Sequence, residues 1–271
     1  MGLFNKTWLF VPAEERFLST KTDGLADVLI FDLEDSIRDT DKTAARERLS
    51  RLLQFAFRSE VYVRINTGET GNEDLRRLNS CRYDGLILPK TDSPGTVLKL
   101  AEHTGNKKLV ALIESPCGIM NLERIAELPC LYGLAFGGED YCRELGVETN
   151  ELAMQYARGK LVLLARCCGK YCLDTISMEY KDDSVFLQKY KESVAMGFHS
   201  RLLIHPAQVR AIRTWEEQSM GLDEMRRIVS LYEKDSGGLV RIDGRWYEKP
   251  HIDRLRNQIA QAETDNARRK Q

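Results

Sequence analysis

Eight short apolar runs rich in β-forming residues recur along the chain: Trp8 to Val11, Val28 to Leu33, Val61 to Ile65, Gly85 to Leu88, Leu109 to Ile113, Leu131 to Phe136, Cys172 to Ile176 and Arg201 to Ile204. Each reads as a strand. Between most of them, apolar residues spaced three and four apart predict helices over Ala44 to Phe57, Asn72 to Leu78, Pro94 to His103 and Leu152 to Cys167. Strand and helix in alternation imply a parallel sheet, and eight repeats favour closure into a TIM (β/α)8 barrel.

The polar residues follow the same punctuation. The runs end in Asp32-Leu33-Glu34-Asp35, Arg64-Ile65-Asn66, Pro89-Lys90, Glu114-Ser115, Gly137-Gly138-Glu139-Asp140 and His205-Pro206, and the seventh carries Asp174 and Thr175. All of these are C-terminal strand ends. A barrel gathers such ends at one rim, so residues more than a hundred positions apart converge on one pocket.

Beyond residue 215 the pattern changes. Glu216 to Lys234 reads as a charged helix, broken by Ser236-Gly237-Gly238. A hairpin follows, turning at Asp243-Gly244, and a last helix begins at Pro250 or His251 before a polar tail. The expected organisation is a barrel domain over 1–215 and an appendage over 216–271, placed to act as a lid over a neighbouring subunit.

The chain's 271 residues match one barrel of ~250. A net charge of -1, from 40 basic and 41 acidic residues, leaves no field to gather nucleic acid or coat a membrane, so a small-molecule substrate is expected. No signal peptide and no apolar stretch near the ~20 residues of a membrane span is evident, which points to the cytosol. The seven cysteines lack paired C-x-x-C clusters with matching His, so they read as structural or buried thiols rather than metal ligands, in a reducing cytosol.

Glu114 and Asp140, at neighbouring strand ends, offer two hard oxygen donors without His or thiolate, a set that suits Mg²⁺ with positions left for substrate. Helix capping or pairing with Arg or Lys is the alternative for each. Arg64 closes an apolar strand, where a guanidinium is costly without an anion, and its fork fits a substrate carboxylate. Glu34 or Asp35 would orient it, and a structural Arg–Glu pair is the alternative. Gly137 allows close backbone approach, and with Arg64 and Glu139 makes up the expected substrate-binding set. His205 reads as a structural hydrogen-bonding residue.

Seven segments carry a resemblance: LFVPA at Leu9 to Ala13, DVLIFDLEDSI at Asp27 to Ile37 with Lys42 and Arg46 following, VYVRIN at Val61 to Asn66, DGLILPK at Asp84 to Lys90, LVALIESPCGI at Leu109 to Ile119, LAFGGEDY at Leu134 to Tyr141, and MGFHSRLLIHPAQV at Met196 to Val209. In this order they resemble the citrate lyase beta-subunit-like family, which also holds citramalyl-CoA and malyl-CoA lyases. The resemblance implies a TIM barrel assembled as trimers or multiples of them. It implies Mg²⁺ on Glu114 and Asp140, Arg64 on the carboxylate of the oxo-acid product, and Lys21 near the coenzyme A phosphates. Many relatives carry an Arg shortly after LFVPA; here Glu15 takes that place, with Arg16 one position on as a shifted phosphate contact. Relatives resemble D-G-x-M-I-D-x-P near the C-terminus and supply the second Asp across a subunit interface as a catalytic acid or base. Here the segment runs from Asp243 to Pro250, with Glu248 keeping the carboxylate on one extra methylene.

The implied reaction is cleavage of a 3-hydroxy-3-carboxy acyl-CoA, (S)-citramalyl-CoA first, to acetyl-CoA and pyruvate. The alternatives are the citryl-thioester subunit of a citrate lyase complex, a metal aldolase on free oxo acids, and a non-catalytic barrel subunit.

Overall fold

The computed structural model of the chain describes residues 6–14, 22–218, 221–235 and 238–269. Eight parallel strands run in sequence order as β1 (Trp8–Pro12), β2 (Val28–Asp32), β3 (Glu60–Arg64), β4 (Gly85–Leu88), β5 (Lys108–Ile113), β6 (Leu131–Phe136), β7 (Tyr171–Asp174) and β8 (Ser200–Leu203). Pairing of β1 with β8 closes the barrel. The fold is the TIM barrel that the alternation of strand and helix predicts.

Helices follow the strands: α1 (Lys42–Leu52), α2 (Gly68–Leu78), α3 (Pro94–Ala101), α4 (Pro116–Met120), α5 (Leu122–Ala126), α6 (Gly138–Leu145), α7 (Glu151–Cys167), α8 (Asp183–Met196) and α9 (Pro206–Gln218). Their starts are written in the sequence. Ser93 and Ser115 cap α3 and α4 by accepting the N–H of Thr96 and Gly118, each with proline at the next position.

Because strand side chains alternate between two faces, each strand feeds two layers. Trp8, Val28, Ile30, Tyr62, Val110, Leu112, Leu173 and Leu202 fill the barrel interior. Their neighbours Leu29 and Phe31 are equally buried but face outward, and Phe31 meets Phe57 edge-on at 5.8 Å. Burial on both faces is why these strands read as continuous apolar runs rather than alternating ones.

Contacts divide the chain into two compact units, one over Lys6–Val209 and one beginning at Arg210. The second holds α10 (Leu222–Lys234), an antiparallel hairpin of β9 (Leu239–Ile242) and β10 (Arg245–Glu248), and α11 (Lys249–Arg269). Asp243 and Gly244 both take positive φ, 47° and 81°, as a two-residue hairpin turn requires. Ile228, Val240, Ile242 and Ile252 form its core.

Three expectations are corrected. Glu216 to Lys234 is not one helix: α9 ends at Gln218 and α10 starts after Gly221, whose low helix propensity favours the break. The segment expected as a polar tail is helical to Arg269. All seven cysteines are free thiols, but only Cys81, Cys142 and Cys172 are buried, while Cys117 and Cys167 are exposed.

Candidate active site

Extending each strand's inward-facing alternation past its C-terminal end names the wall of a cavity. The inward series Phe10-Pro12, Ile30-Asp32, Tyr62-Arg64, Leu112-Glu114, Ala135-Gly137, Leu173-Thr175 and Leu202-Ile204 each leave at least one residue in its lining. The cavity holds about 390 Å³ and is lined entirely by residues of the Lys6–Val209 unit. Asp140 joins it from the first turn of α6 rather than from a strand end.

Glu114 follows β5 directly and is 3% exposed. Its Oε1 accepts the backbone N–H of Lys90 at 2.6 Å. Lys90 has φ of 48°, a left-handed conformation that is unusual for a residue with a Cβ, so backbone strain accompanies this N–H at the carboxylate. Burial, chiefly, together with the charges of Glu34 and Asp140, pushes Glu114 up to about 8 against the pull of Lys90 N–H and Arg64. Gly137 gives the carboxylate room: a Cβ there would lie 2.6 Å from Glu114 Cβ and 2.7 Å from its Oε2. Asp140 forms an ion pair with Arg143 at 2.6 Å, but Arg143 is largely exposed and holds it weakly.

Arg64 stands beside the carboxylates, its guanidinium 5.0 Å from the centre of the Phe10 ring. Asp32 takes the fork, with Nε and Nη2 each 2.7 Å from a carboxylate oxygen. Nη1 lies 3.1 Å from Glu34 and 3.3 Å from the exposed Asp35. Burial raises the Asp32 carboxyl, yet the Arg64 fork outweighs it and the pKa falls below the ordinary value. Glu34 moves the other way: burial dominates, despite Arg64 and a 2.9 Å ion pair with Lys90, and its pKa rises.

The remaining expected site residues are spread out. Glu139 is exposed on the cavity rim and accepts a bond from Thr149 at 2.7 Å. Glu248 belongs to the second unit, at the exposed end of β10, where its N–H donates to His251 Nδ1 at 3.4 Å. Arg16 and Lys21 lie outside the described residues. His205 accepts the N–H of Ala207 at 3.1 Å and stacks on Tyr180, a structural arrangement. Asp174, which sequence placed on the rim, turns away from the cavity into a buried network with Arg158, Ser193 and Arg201. Sequence reasoning did not single out Asp32 or Lys90 as site residues. Asp32 was legible from its inward register with Val28 and Ile30, whereas the left-handed backbone of Lys90 had no local signal such as Gly or Asn.

Among the described residues no group of three or more His, Cys, Asp or Glu forms a metal cage. Two carboxylates on an open cavity fit a different need, a hard divalent cation that keeps further positions for water or substrate. A cation there would offset the mutual repulsion and burial that now disfavour ionised Glu114.

A closed parallel barrel whose C-terminal mouth holds paired carboxylates and a buried guanidinium defines a class of TIM-barrel site suited to a cation and an anionic ligand. The chain belongs to the HpcH/HpaI aldolase/citrate lyase family, whose model matches residues 6–206. It is 31% identical to citrate lyase subunit beta of Escherichia coli, across 97% of this chain and 95% of that protein. It is 30% identical to the (3S)-malyl-CoA thioesterase of Cereibacter sphaeroides, across 94% and 93%. A crystal structure of CitE from Mycobacterium tuberculosis in complex with magnesium, acetoacetate and coenzyme A superposes with a TM-score of 0.82 at 26% identity, covering 95% of this chain and 98% of that one. Among the described residues no helix is long and apolar enough to cross a membrane.

Proposed function

We propose that this protein is a Mg²⁺-dependent carbon–carbon lyase that splits a 3-hydroxy-3-carboxy acyl-CoA, (S)-citramalyl-CoA first, into acetyl-CoA and a 2-oxo acid. One observation carries the reading: Glu114, Asp140 and Arg64 line a single cavity with apolar walls. The complex of the Mycobacterium tuberculosis CitE with magnesium, acetoacetate and coenzyme A supports it.

Glu114 and Asp140 would hold the ion, which when bound supplies Lewis-acid stabilisation of charge on the substrate oxygen. Arg64, clamped from behind by Asp32 and Glu34, grips the substrate carboxylate and gives up its 3.3 Å contact to Asp35. Gly137 and Glu139 edge the same substrate position. Phe10, Leu112, Phe136 and Ile176 exclude water around the reacting carbons. The hydroxyl gives its proton to solvent water, the carbon–carbon bond breaks, and its electrons pass to the thioester methylene. That carbon then takes a proton, for which Glu248 of a neighbouring copy in a trimer or multiple is the donor. Arg16 and Lys21 would meet the coenzyme A phosphates, and the enzyme would act in the cytoplasm.

The thioesterase relative gives a second reading a specific basis. Incubating the purified protein and Mg²⁺ with citramalyl-CoA, malyl-CoA and citryl-CoA separates the two. Lyase action releases acetyl-CoA with an equimolar 2-oxo acid, fastest from citramalyl-CoA; release of free CoA with an intact hydroxy acid contradicts it. The substitution Glu114→Ala should lower turnover about 1,000-fold or more with an unchanged circular dichroism spectrum.

A further inference from the structure

The opposite, N-terminal mouth of the barrel holds a second cavity of about 330 Å³, where the first residue of β7, Tyr171, meets Tyr132, Arg166, Lys170 and His199. Nothing in the proposed reaction uses it. Its rings are layered: His199 stacks on Tyr171 at 4.3 Å, and Tyr171 on Tyr132 at 5.8 Å.

Two features favour an anionic ligand. Arg166 and Lys170 bring two positive charges, and among the described residues neither has a carboxylate within 4 Å; both rest on backbone carbonyls instead. Arg166 donates to Gly197 O at 3.2 and 2.5 Å, and Lys170 to Leu128 and Leu131 O at 2.8 and 2.7 Å. The second feature is a mismatch at His199. Its Nδ1 accepts the backbone N–H of Cys172 at 3.0 Å, which places the single proton of a neutral ring on Nε2. Yet Nε2 lies 2.9 Å from Arg166 Nη1, a group that can only donate. Two donors therefore face each other. The ring cannot escape by ionising, because burial and the Arg166 charge hold it down to about 4, and an imidazolium would only add a further donor.

We propose that Arg166, Lys170 and His199 form a second ligand site, at the N-terminal mouth of the barrel, that takes a phosphate-class oxyanion. An anion seated between Arg166 and Nε2 accepts from both, turns the donor clash into two charge-assisted or polar hydrogen bonds, and balances the Lys170 ammonium. Arg166 is an exposed residue, and to reach the anion its guanidinium turns away from Gly197 O.

Inorganic phosphate is the probe, titrated into the full chain in phosphate-free buffer at constant ionic strength and pH 7.5. Imidazole ¹⁵N resonances are followed by NMR, with His199 assigned from His199→Gln. The site predicts a saturable shift at His199 with Nε2 protonated throughout. Arg166→Gln and, separately, Lys170→Gln weaken it about tenfold or more, while Lys234→Gln leaves it unchanged. AMP as a second arm separates sources: competition at His199 means that a phosphoryl group on a larger molecule is accepted, and its failure means free oxyanion, either upholding the site. Absence of a saturable shift at His199, or one unaltered in both Arg166→Gln and Lys170→Gln, overturns the proposal.

Discussion

Two buried aspartates close strands of the same barrel, and each sits in the fork of an arginine. Asp32 ends β2 in the grip of Arg64, and Asp174 ends β7 in the grip of Arg158, with Nε and Nη2 at 3.1 and 2.6 Å. Their chemistry is alike but their register is not. Asp32 follows Val28 and Ile30 on the inward face and lines the cavity, whereas Asp174 follows inward Leu173 and so faces outward, where α7 and α8 supply Arg158 and Ser193. One residue of alternation therefore separates a pair that can meet a ligand from one that locks helices to the sheet. Residue type at a strand end is weak evidence of function until its face is known.

Breaking the outward pair should cost most in stability. Asp174→Ala leaves Arg158 and Arg201 buried together, and the expected loss is about 3–5 kcal/mol, read as a lower urea midpoint. Asp32→Ala sharpens the contrast: Arg64 keeps Glu34 and Asp35 and opens on a cavity, so stability should fall less and activity more. Equal stability losses with intact activity at Asp32 would erase the distinction. Next in size is Arg64→Lys, which retains the charge but loses the fork; kcat/KM on the acyl-CoA should drop about 100-fold, roughly 2.7 kcal/mol, with the urea midpoint little changed.

A smaller effect separates the two mouths of the barrel by pH. His199 titrates near 4 when folded and near 6.5 when unfolded, so the unfolded chain binds more protons between these values. Its contribution is complete above pH 6.5 and drains away as pH falls toward 4. Between pH 7 and 5, wild type should lose about 1–2 kcal/mol more stability than His199→Gln in phosphate-free buffer. An equal loss in both would show that burial of this ring does not govern the acid limb.

Much of this was legible before any coordinates. The eight strands came from apolar runs because parallel strands bury both faces, and the meeting of Glu114 and Arg64 at one cavity followed from closure, while Asp140 reaches it from the first turn of α6. What escaped depended on three-dimensional detail. Three acids in Asp32-Leu33-Glu34-Asp35 compete for Arg64, and only the backbone's path gives Asp32 the fork while Asp35 stays exposed. Asp174 looked like a rim residue because composition does not record the face. The left-handed backbone at Lys90 is set by tertiary context that no local pattern announced, whereas the helix break at Gly221 had a local signal in the glycine itself.

In the proposed reaction Glu114 and Asp140 together hold one divalent ion beside Arg64. Calorimetric titration of Mg²⁺ into the metal-free protein, compared with Glu114→Gln and Asp140→Asn, tests it most directly. One saturable site per chain is expected, lost or weakened by at least about tenfold in each variant, with Arg143→Gln binding as wild type does. Unchanged Mg²⁺ binding in either carboxamide variant would contradict it.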